Sequence, residues 1–180
     1  MSASYFTKVG IVGVIGDDYP QGHKNVLVSH GVDISGVEQV DGGKTFSWGG
    51  KYEGDMNSAQ TIFTELGVFE NFQPIVPEAQ KGSPYILLCN FDPIQQNNTL
   101  KQMSKPKISI LDTMNLWINI RIDALKLVLQ NVDVVVMNEG EARMFCKTDH
   151  MQEAGQMLLG LGLKRAIIKK GEHGCLMFSQ

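Results

Sequence analysis

Cysteine is scarce in this chain. Only Cys89, Cys146 and Cys175 occur in 180 residues, widely spaced and odd in number, with no Cys-x-x-Cys. No two of His23, His30, His150 and His173 stand at helical spacing. A structural zinc site is therefore not expected. The cysteines read instead as buried, reduced thiols of a cytoplasmic protein. Positive charge is not in excess either: 16 Lys and Arg against 19 Asp and Glu leave a net charge of −3. That argues against a nucleic-acid partner, whose electrostatic footprint needs a basic surplus. It leaves room for a small anionic ligand held by local positive ends. No stretch of ~18 apolar residues exists, so no membrane span is expected. The polar opening, residues 1–8, lacks the apolar core of a signal peptide.

What is present is an ordinary globular composition, 43% hydrophobic and 19% charged, with 19 glycines. The length suits one large domain, or a small domain with an appendage. A domain of this size buries about 70% of the surface its unfolded chain exposes and needs no staples. Residues 9–15 predict a buried strand ending in the polar loop Gly16-Asp17-Asp18. Residues 21–30 predict a short helix closed by Gly31. Residues 37–40 and 45–52 predict two strands around the turn Asp41-Gly42-Gly43-Lys44. The second alternates, with Phe46, Trp48, Gly50 and Tyr52 on one face, the pattern of a half-buried antiparallel strand. Residues 58–66 predict a further strand, and 67–84 a loop-rich stretch with Pro74, Pro77 and Pro84. From Tyr85 strands and helices alternate: strand 85–90, helix 94–103, strand 108–112, helix 116–130, strand 132–137, helices 139–146 and 152–161, strands 165–169 and 175–178. Such alternation predicts an α/β fold, a mostly parallel sheet covered on both faces by helices.

Ligands of open parallel sheets bind beyond the carboxyl ends of the strands. Here those ends are Gly16-Asp17-Asp18, Asn90-Phe91-Asp92, Asp112-Thr113-Met114-Asn115, Asn138 to Glu141, and Lys169-Lys170-Gly171. All are polar or glycine-rich, and this topology would place them on one rim. Each also has a plainer reading. Asn138-x-x-Glu141 resembles a capping box. The same geometry holds a carboxylate that can order water around Mg²⁺ and an amide that can touch a phosphate, both tolerated at a helix N-terminus. Asp92-Pro93 is a helix start. Asp112 and Asn115 either cap the next helix or line the rim. The segment from Lys169 to Gly174 is a tight hairpin with Gly174 at positive φ, or a turn whose glycine lets a base or phosphate approach the backbone. His173 is expected in solvent. The stripe Phe46, Trp48, Tyr52 either covers core or forms the inner face of a lid.

Taken in order, these pieces resemble the PfkB, or ribokinase-like, family of carbohydrate and nucleoside kinases. Val12-Gly13-Val14-Ile15-Gly16-Asp17-Asp18 is similar to a family strand and loop, and Gly31-Val32-Asp33 to the segment before the lid. Ile110-Leu111-Asp112-Thr113-Met114-Asn115-Leu116-Trp117-Ile118 is similar to a block found in one sugar-kinase-like subgroup. Asn138-x-x-Glu141-Ala142 is similar to the family's Asn-x-x-Glu motif, and Ile168 to Gly174 to its nucleotide-side turn. The resemblance covers nearly all 180 residues. It implies a ribokinase-like, Rossmann-like sheet with a small β lid within about residues 36–66. It implies transfer of the γ-phosphoryl of ATP to a hydroxyl of a sugar or nucleoside, catalysed by positioning and charge neutralisation. By matching position, Asn138 and Glu141 would organise Mg²⁺, its waters and the ATP phosphates, Glu141 reaching the metal through water. Lys169 and Gly171 would lie against the nucleotide. Asp112 and Asn115 would line the rim between phosphates and acceptor, and Trp48 and Tyr52 would cover the acceptor from the lid. A homodimer through the lid or through exposed sheet edges is a further implication.

Some family segments have no match among these residues. These are an opening strand with a substrate-binding Asp and Gly-Gly-x-x-x-Asn, and a later Gly-Ala-Gly-Asp that supplies the anion hole and catalytic base. No catalytic residue is therefore assigned. The expectation is an incomplete domain over 1–180, matching the middle of the family and inactive alone. The alternative is a non-catalytic nucleotide- or metabolite-binding module with a kinase-like fold.

Overall fold

Aliphatic and β-branched runs, punctuated by glycine, proline and polar clusters, set the elements of the computed structural model, which describes residues 2–5, 7–53 and 59–180. They form two compact units, Met1–Gln80 and Lys81–Gln180. The first contains strands β1 (Val9–Gly16), β2 (Val32–Val40), β3 (Ser47–Tyr52) and β4 (Ala59–Glu65), and helix α1 (Gln21–Ser29). A short helix, α2 (Glu78–Lys81), spans the boundary.

β1 and β2 pair in parallel, from Val9 opposite Val32 to Gly16 opposite Val40. Between them α1 ends as expected, with Gly31 at φ 71° just past its last turn, where a side chain would cost strain. The strands flanking Asp41-Gly42-Gly43-Lys44 are not a hairpin. β2 starts at Val32, earlier than its turn residues suggest, and its partner is β1. Carboxylates rather than strand pairing satisfy the turn. Asp17 Oδ2 accepts from the Gly42 N–H at 2.6 Å, and Asp18 Oδ1 accepts from both the Thr45 N–H and Oγ1 at 2.7 Å. These bonds hold both aspartates below the ordinary carboxylate range. A side chain at Gly16 would come within 2.2 Å of the Gly43 carbonyl, so glycine is required there. β3 and β4 pair antiparallel, Ser47 opposite Glu65 and Tyr52 opposite Ala59, with an irregularity at Gly49 and Gly50. Ser58, where the sequence starts this last strand, lies outside the described residues.

The second unit alternates strand and helix: β5 (Tyr85–Leu88), α3 (Pro93–Lys101), β6 (Ile108–Asp112), α4 (Asn115–Ile120), α5 (Ile122–Leu129), β7 (Val134–Asn138), α6 (Glu139–Cys146), α7 (Met151–Leu159), β8 (Arg165–Lys169) and β9 (Cys175–Ser179). The sheet order is β5-β6-β7-β8-β9, parallel except for the last pair. α3 starts as Asp92-Pro93 predicts: Pro93 opens the helix and the Asp92 carboxylate accepts from the Ile94 N–H at 2.8 Å. The single helix expected over 116–130 is two. Arg121 leaves the helical region at φ −138°, ψ 31°. The β-branched residues Ile118, Ile120 and Ile122 weaken helix there. The break lets α4 bury Ile118 while α5 buries Leu125, Val128 and Leu129.

Register explains the core. Leu88, Leu111, Val135, Ala166 and Phe178 are neighbours in one row across all five strands, and all are buried. Helices α5, α6 and α7 pack Leu129, Ala142 and Leu158 into the same cluster. The other face is covered only in part: Ile110, Val136 and Ile167 are half-buried, while Leu87 and Met177 on the edge strands are exposed. Gly155 of α7 lies against the Phe178 ring, where an added Cβ would come within 2.4 Å. Gly155→Val is therefore expected to destabilise the unit by about 1–3 kcal/mol through overpacking, read as a lowered urea midpoint.

At the amino ends of the strands, Asp133 binds three segments together. Its Oδ2 accepts from the N–H and Oγ of Ser109 at 2.8 Å each, and its Oδ1 meets Lys164 Nζ at 2.7 Å. Only Cys146 of the three cysteines is buried. Burial pushes its thiol up to about 11, with Glu153 adding to the shift. Cys89 and Cys175 are exposed because they adjoin the edge strands β5 and β9.

Candidate functional site

β6, β7 and β8 run parallel, so their carboxyl ends carry Asp112, Asn138 and Lys169 to one edge of the sheet. Asn138 and Lys169 are direct ladder partners. Asn138 caps α6 in the reciprocal pattern its sequence predicts. Its Oδ1 accepts from the Glu141 N–H at 2.8 Å, and Glu141 Oε2 accepts from the Asn138 N–H at 2.7 Å. Glu141 is 6% exposed. Burial raises its pKa; the Asn138 N–H and the Lys169 charge pull it down, and Asp112 pushes it up again. Lys169 and Asp112 thus both act on the Glu141 carboxylate, with opposite sign. Lys169 Nζ stands 3.6 Å from Asp112 Oδ1.

Asp112 does not cap the following helix. The N-cap of α4 is Met114, with no side-chain cap bond, and Asn115 is the exposed first residue of the helix. The Asp112 carboxylate is instead turned to Lys169. Beyond β8, Gly171 at φ 57° and Gly174 at φ 81° form the tight connection to β9, closed by a 2.8 Å bond from the Lys170 N–H to the Gly174 carbonyl. Gly174 has the positive φ that the sequence predicts, and His173 is in solvent. Glu139, at the start of α6, is held below the ordinary range by Arg143, with Lys170 and His173 contributing. Arg143 donates to Glu139 at 2.6 Å and to Asp149 at 2.7 Å, fastening the α6–α7 connection.

Trp48 and Tyr52 belong to the first unit, on β3. The Trp48 ring lies over Gly50 and its Nε1 donates to Thr61 Oγ1 at 3.2 Å; both aromatic residues are exposed. Gly16-Asp17-Asp18 is also in the first unit, engaged with the 42–45 turn.

Two arrangements at the sheet edge carry no signal in the sequence. Asn90 accepts from Trp117 Nε1 at 2.8 Å and donates to Met114 Sδ at 2.9 Å, joining the end of β5 to α4. Gln96, one of four consecutive amides at residues 95–98, is buried at the ends of β5 and β6. Nothing in the run Gln-Gln-Asn-Asn separates an inward amide from an outward one.

The family model for pfkB carbohydrate kinases matches residues 2–180. The chain belongs to the pfkB family of carbohydrate kinases. A cytidine kinase of Thermococcus kodakarensis is 29% identical over 174 residues, covering 95% of this chain and 61% of its own length. The chain thus spans about three fifths of that curated relative. A nucleoside kinase of Methanocaldococcus jannaschii, an archaeal member of the ribokinase family, superposes with a TM-score of 0.74 at 14% identity, over 98% of this chain and 57% of that one. A ribokinase II of E. coli solved with ATP and Mg²⁺ gives 0.75 at 20% identity, over 98% and 61%. The fold is ribokinase-like: a mostly parallel α/β sheet with flanking helices, as the pfkB resemblance implies. Among the described residues no helix is long and apolar enough to cross a membrane.

The residues at the rim fit a magnesium–nucleotide group. Mg²⁺ is held by one or two carboxylates with waters and substrate phosphates, not by a cage of protein ligands. Among the described residues no cluster of three or more His, Cys, Asp or Glu is placed to hold a metal. What the rim offers is Glu141, buried, with the Asp112 charge disfavouring its ionised form. A divalent cation bound there would offset that repulsion.

Proposed function

We propose that this chain carries the nucleotide and magnesium side of a phosphoryl-transfer site, the reaction being transfer of the ATP γ-phosphoryl to a hydroxyl of a sugar or nucleoside. The juxtaposition of Asp112, Glu141 and Lys169 at the ends of three adjacent parallel strands carries this reading. Membership of the pfkB family supports the reaction class. The cytidine kinase and nucleoside kinase relatives support a nucleoside as one acceptor class.

In this reading each residue has a role set by its chemistry. Glu141 and Asp112 hold Mg²⁺, Glu141 through water. The cation, when bound, neutralises charge on the phosphate oxygens. Lys169 exchanges its contact with Asp112 for the phosphates. The first turn of α6 turns its free N–H groups and positive end toward the same anion. Asn138 holds Glu141 in place. Gly171 lets the nucleotide approach the backbone. Asn115 lines the acceptor side of the rim, and Trp48 and Tyr52 are the lid residues of the first unit. Three cysteines in no disulfide suit a cytoplasmic protein.

Calorimetric titration with Mg·ADP tests the reading. Binding by the parent chain is expected, with a loss of about tenfold or more in Gly171→Val, because β-branched side chains do not tolerate its φ and would stand between backbone and base. Equal binding by parent and variant would exclude the Gly171 turn from the site.

A further inference from the structure

We propose that Gln96 is a positioning residue for the rim: its buried carboxamide ties the carboxyl ends of β5 and β6 together and fixes where Asp112 stands. The functional half of this inference rests on the nucleotide-site reading above. Gln96 is 1% exposed. Its Nε2 donates to the Cys89 carbonyl at 2.8 Å and the Asp112 carbonyl at 3.0 Å, with the Leu88 carbonyl further off at 3.4 Å. The β5–β6 ladder ends at Leu88 opposite Leu111. Cys89 and Asp112 lie just beyond it, where the strands separate and that ladder no longer supplies donors. The Gln96 amide spans the gap.

Asp112 is the residue whose carboxylate meets Lys169 at 3.6 Å and whose charge acts on Glu141. Its carbonyl carbon is bonded to the Cα that bears this carboxylate. Holding the carbonyl fixes ψ of Asp112 and hence the orientation of the chain at the root of the side chain. Without that restraint the carboxylate is free to swing away from Lys169.

Packing alone is a poor reason for an amide at this position. Gln96 Oε1 is buried without a hydrogen-bond partner, and so is Thr113 Oγ1 beside the same peptide. Burying unpaired polar atoms is unfavourable. A leucine or methionine would fill the volume without that penalty, but neither can hold two carbonyls.

The test compares Gln96→Leu, Asp112→Asn and the double variant in the full 180-residue chain, with Mg·ADP as the probe and backbone amide spectra as the second readout. Gln96→Leu is expected to fold, to shift the amide resonances of residues 112–115, and to weaken Mg·ADP binding about tenfold. In the Asp112→Asn background the same change is expected to alter affinity less than twofold, because no charge remains to be placed. An unchanged affinity overturns the proposal. An equal loss in both backgrounds overturns it too, since a loosened fold would act regardless of Asp112. If the parent chain takes up no Mg·ADP, the site reading falls and the spectra decide the rest. Shifts that reach 112–115 as well as the neighbours of Cys89 and Gln96 then uphold the positioning role, and unchanged resonances at 112–115 overturn it. Should Gln96→Leu fail to fold, Gln96→Met makes the same comparison with a longer, more adaptable side chain.

Discussion

Glu141→Gln is expected to leave the protein folded while removing its affinity for Mg·ADP. The variant separates the two roles that share this side chain. As a cap, Glu141 accepts from the Asn138 N–H at 2.7 Å, and the glutamine carbonyl can accept the same bond. The lost interaction with the helix dipole is worth only about 0.3–1 kcal/mol. The pKa of Glu141 is raised by burial, with Asp112 adding to the rise and Asn138 and Lys169 opposing it. A raised carboxyl pKa means that ionisation is a cost to the folded state, one that sets in as pH rises through the folded value. Removing the charge at neutral pH therefore offsets part of the lost dipole interaction, and the urea midpoint should hardly move. Binding should respond very differently. Truncating one partner of a buried charge pair costs about 2–5 kcal/mol, and about 3 kcal/mol is more than a hundredfold in affinity. Calorimetry and denaturation on the same preparations separate the effects. Undiminished binding by Glu141→Gln would reduce the residue to a helix cap. Glu141→Ala is a less discriminating choice, because it also removes the cap bond.

The largest loss of stability is expected from Asp133→Ala, at the opposite end of the strands. Ser109 is 3% exposed, and its N–H and hydroxyl both point to Asp133 Oδ2. Its Oγ in turn accepts from the Asp133 N–H at 3.0 Å. Alanine leaves the Ser109 donors unmet, and only the bonds from the backbone N–H at position 133 still join the starts of β6 and β7. Hydrogen bonds to a charged group contribute about 1.5–3 kcal/mol each, so a loss of about 3 kcal/mol is expected from the Ser109 pair. Lys164, whose side chain is 65% exposed, adds little after solvent screening. Asp133→Asn should cost less, since its amide oxygen can still accept. The pH dependence has a definite sign. Burial pushes the Asp133 pKa up, but the bonds from Lys164 and Ser109 outweigh it and hold it below the ordinary range. Its contribution is therefore complete above about pH 4 and is lost as pH falls through the depressed folded value. Urea midpoints between pH 2 and 7 should show a shallower acid-side decline in Asp133→Asn than in the parent. Parallel curves would mean that Asp133 does not titrate as a bonded carboxylate.

The parallel half of the fold was legible because each element there has a strong local cause. Ile108–Asp112, Glu139–Cys146 and Arg165–Lys169 fall where the apolar runs, the Asn138 cap and the following turn put them. Two features depend on pairing and packing rather than on local signals. Strands flank the glycine-rich turn at residues 41–44 as its sequence predicts, but they pair with β1 and β4 rather than with each other, and the two aspartates after β1 bond to Gly42 and Thr45. A helical period runs through 116–130, yet Arg121 breaks it so that two short helices can each turn an apolar side inward. The cysteines misled in a similar way: residue type suggests burial, while position on an edge strand decides exposure. At the site, the residue types at strand ends named Asp112, Asn138, Glu141 and Lys169, but not the contact between Asp112 and Lys169. That contact depends on the register of three strands, which only the folded ladder supplies. Gln96 was illegible for the same reason, since its partners are backbone carbonyls of two strands.

The reversal of the last strand has a practical consequence. Because β9 runs antiparallel to β8, its first residue rather than its last stands at the rim, and Cys175 is the ladder partner of Lys169. That thiol is exposed. Cys89, exposed as a residue, is disfavoured as a thiolate by partial desolvation of its sulfur and by the Asp112 charge, and Cys146 is enclosed. The molecule thus carries an attachment point for an optical reporter beside Lys169, on the one strand whose amino end lies at that edge of the sheet.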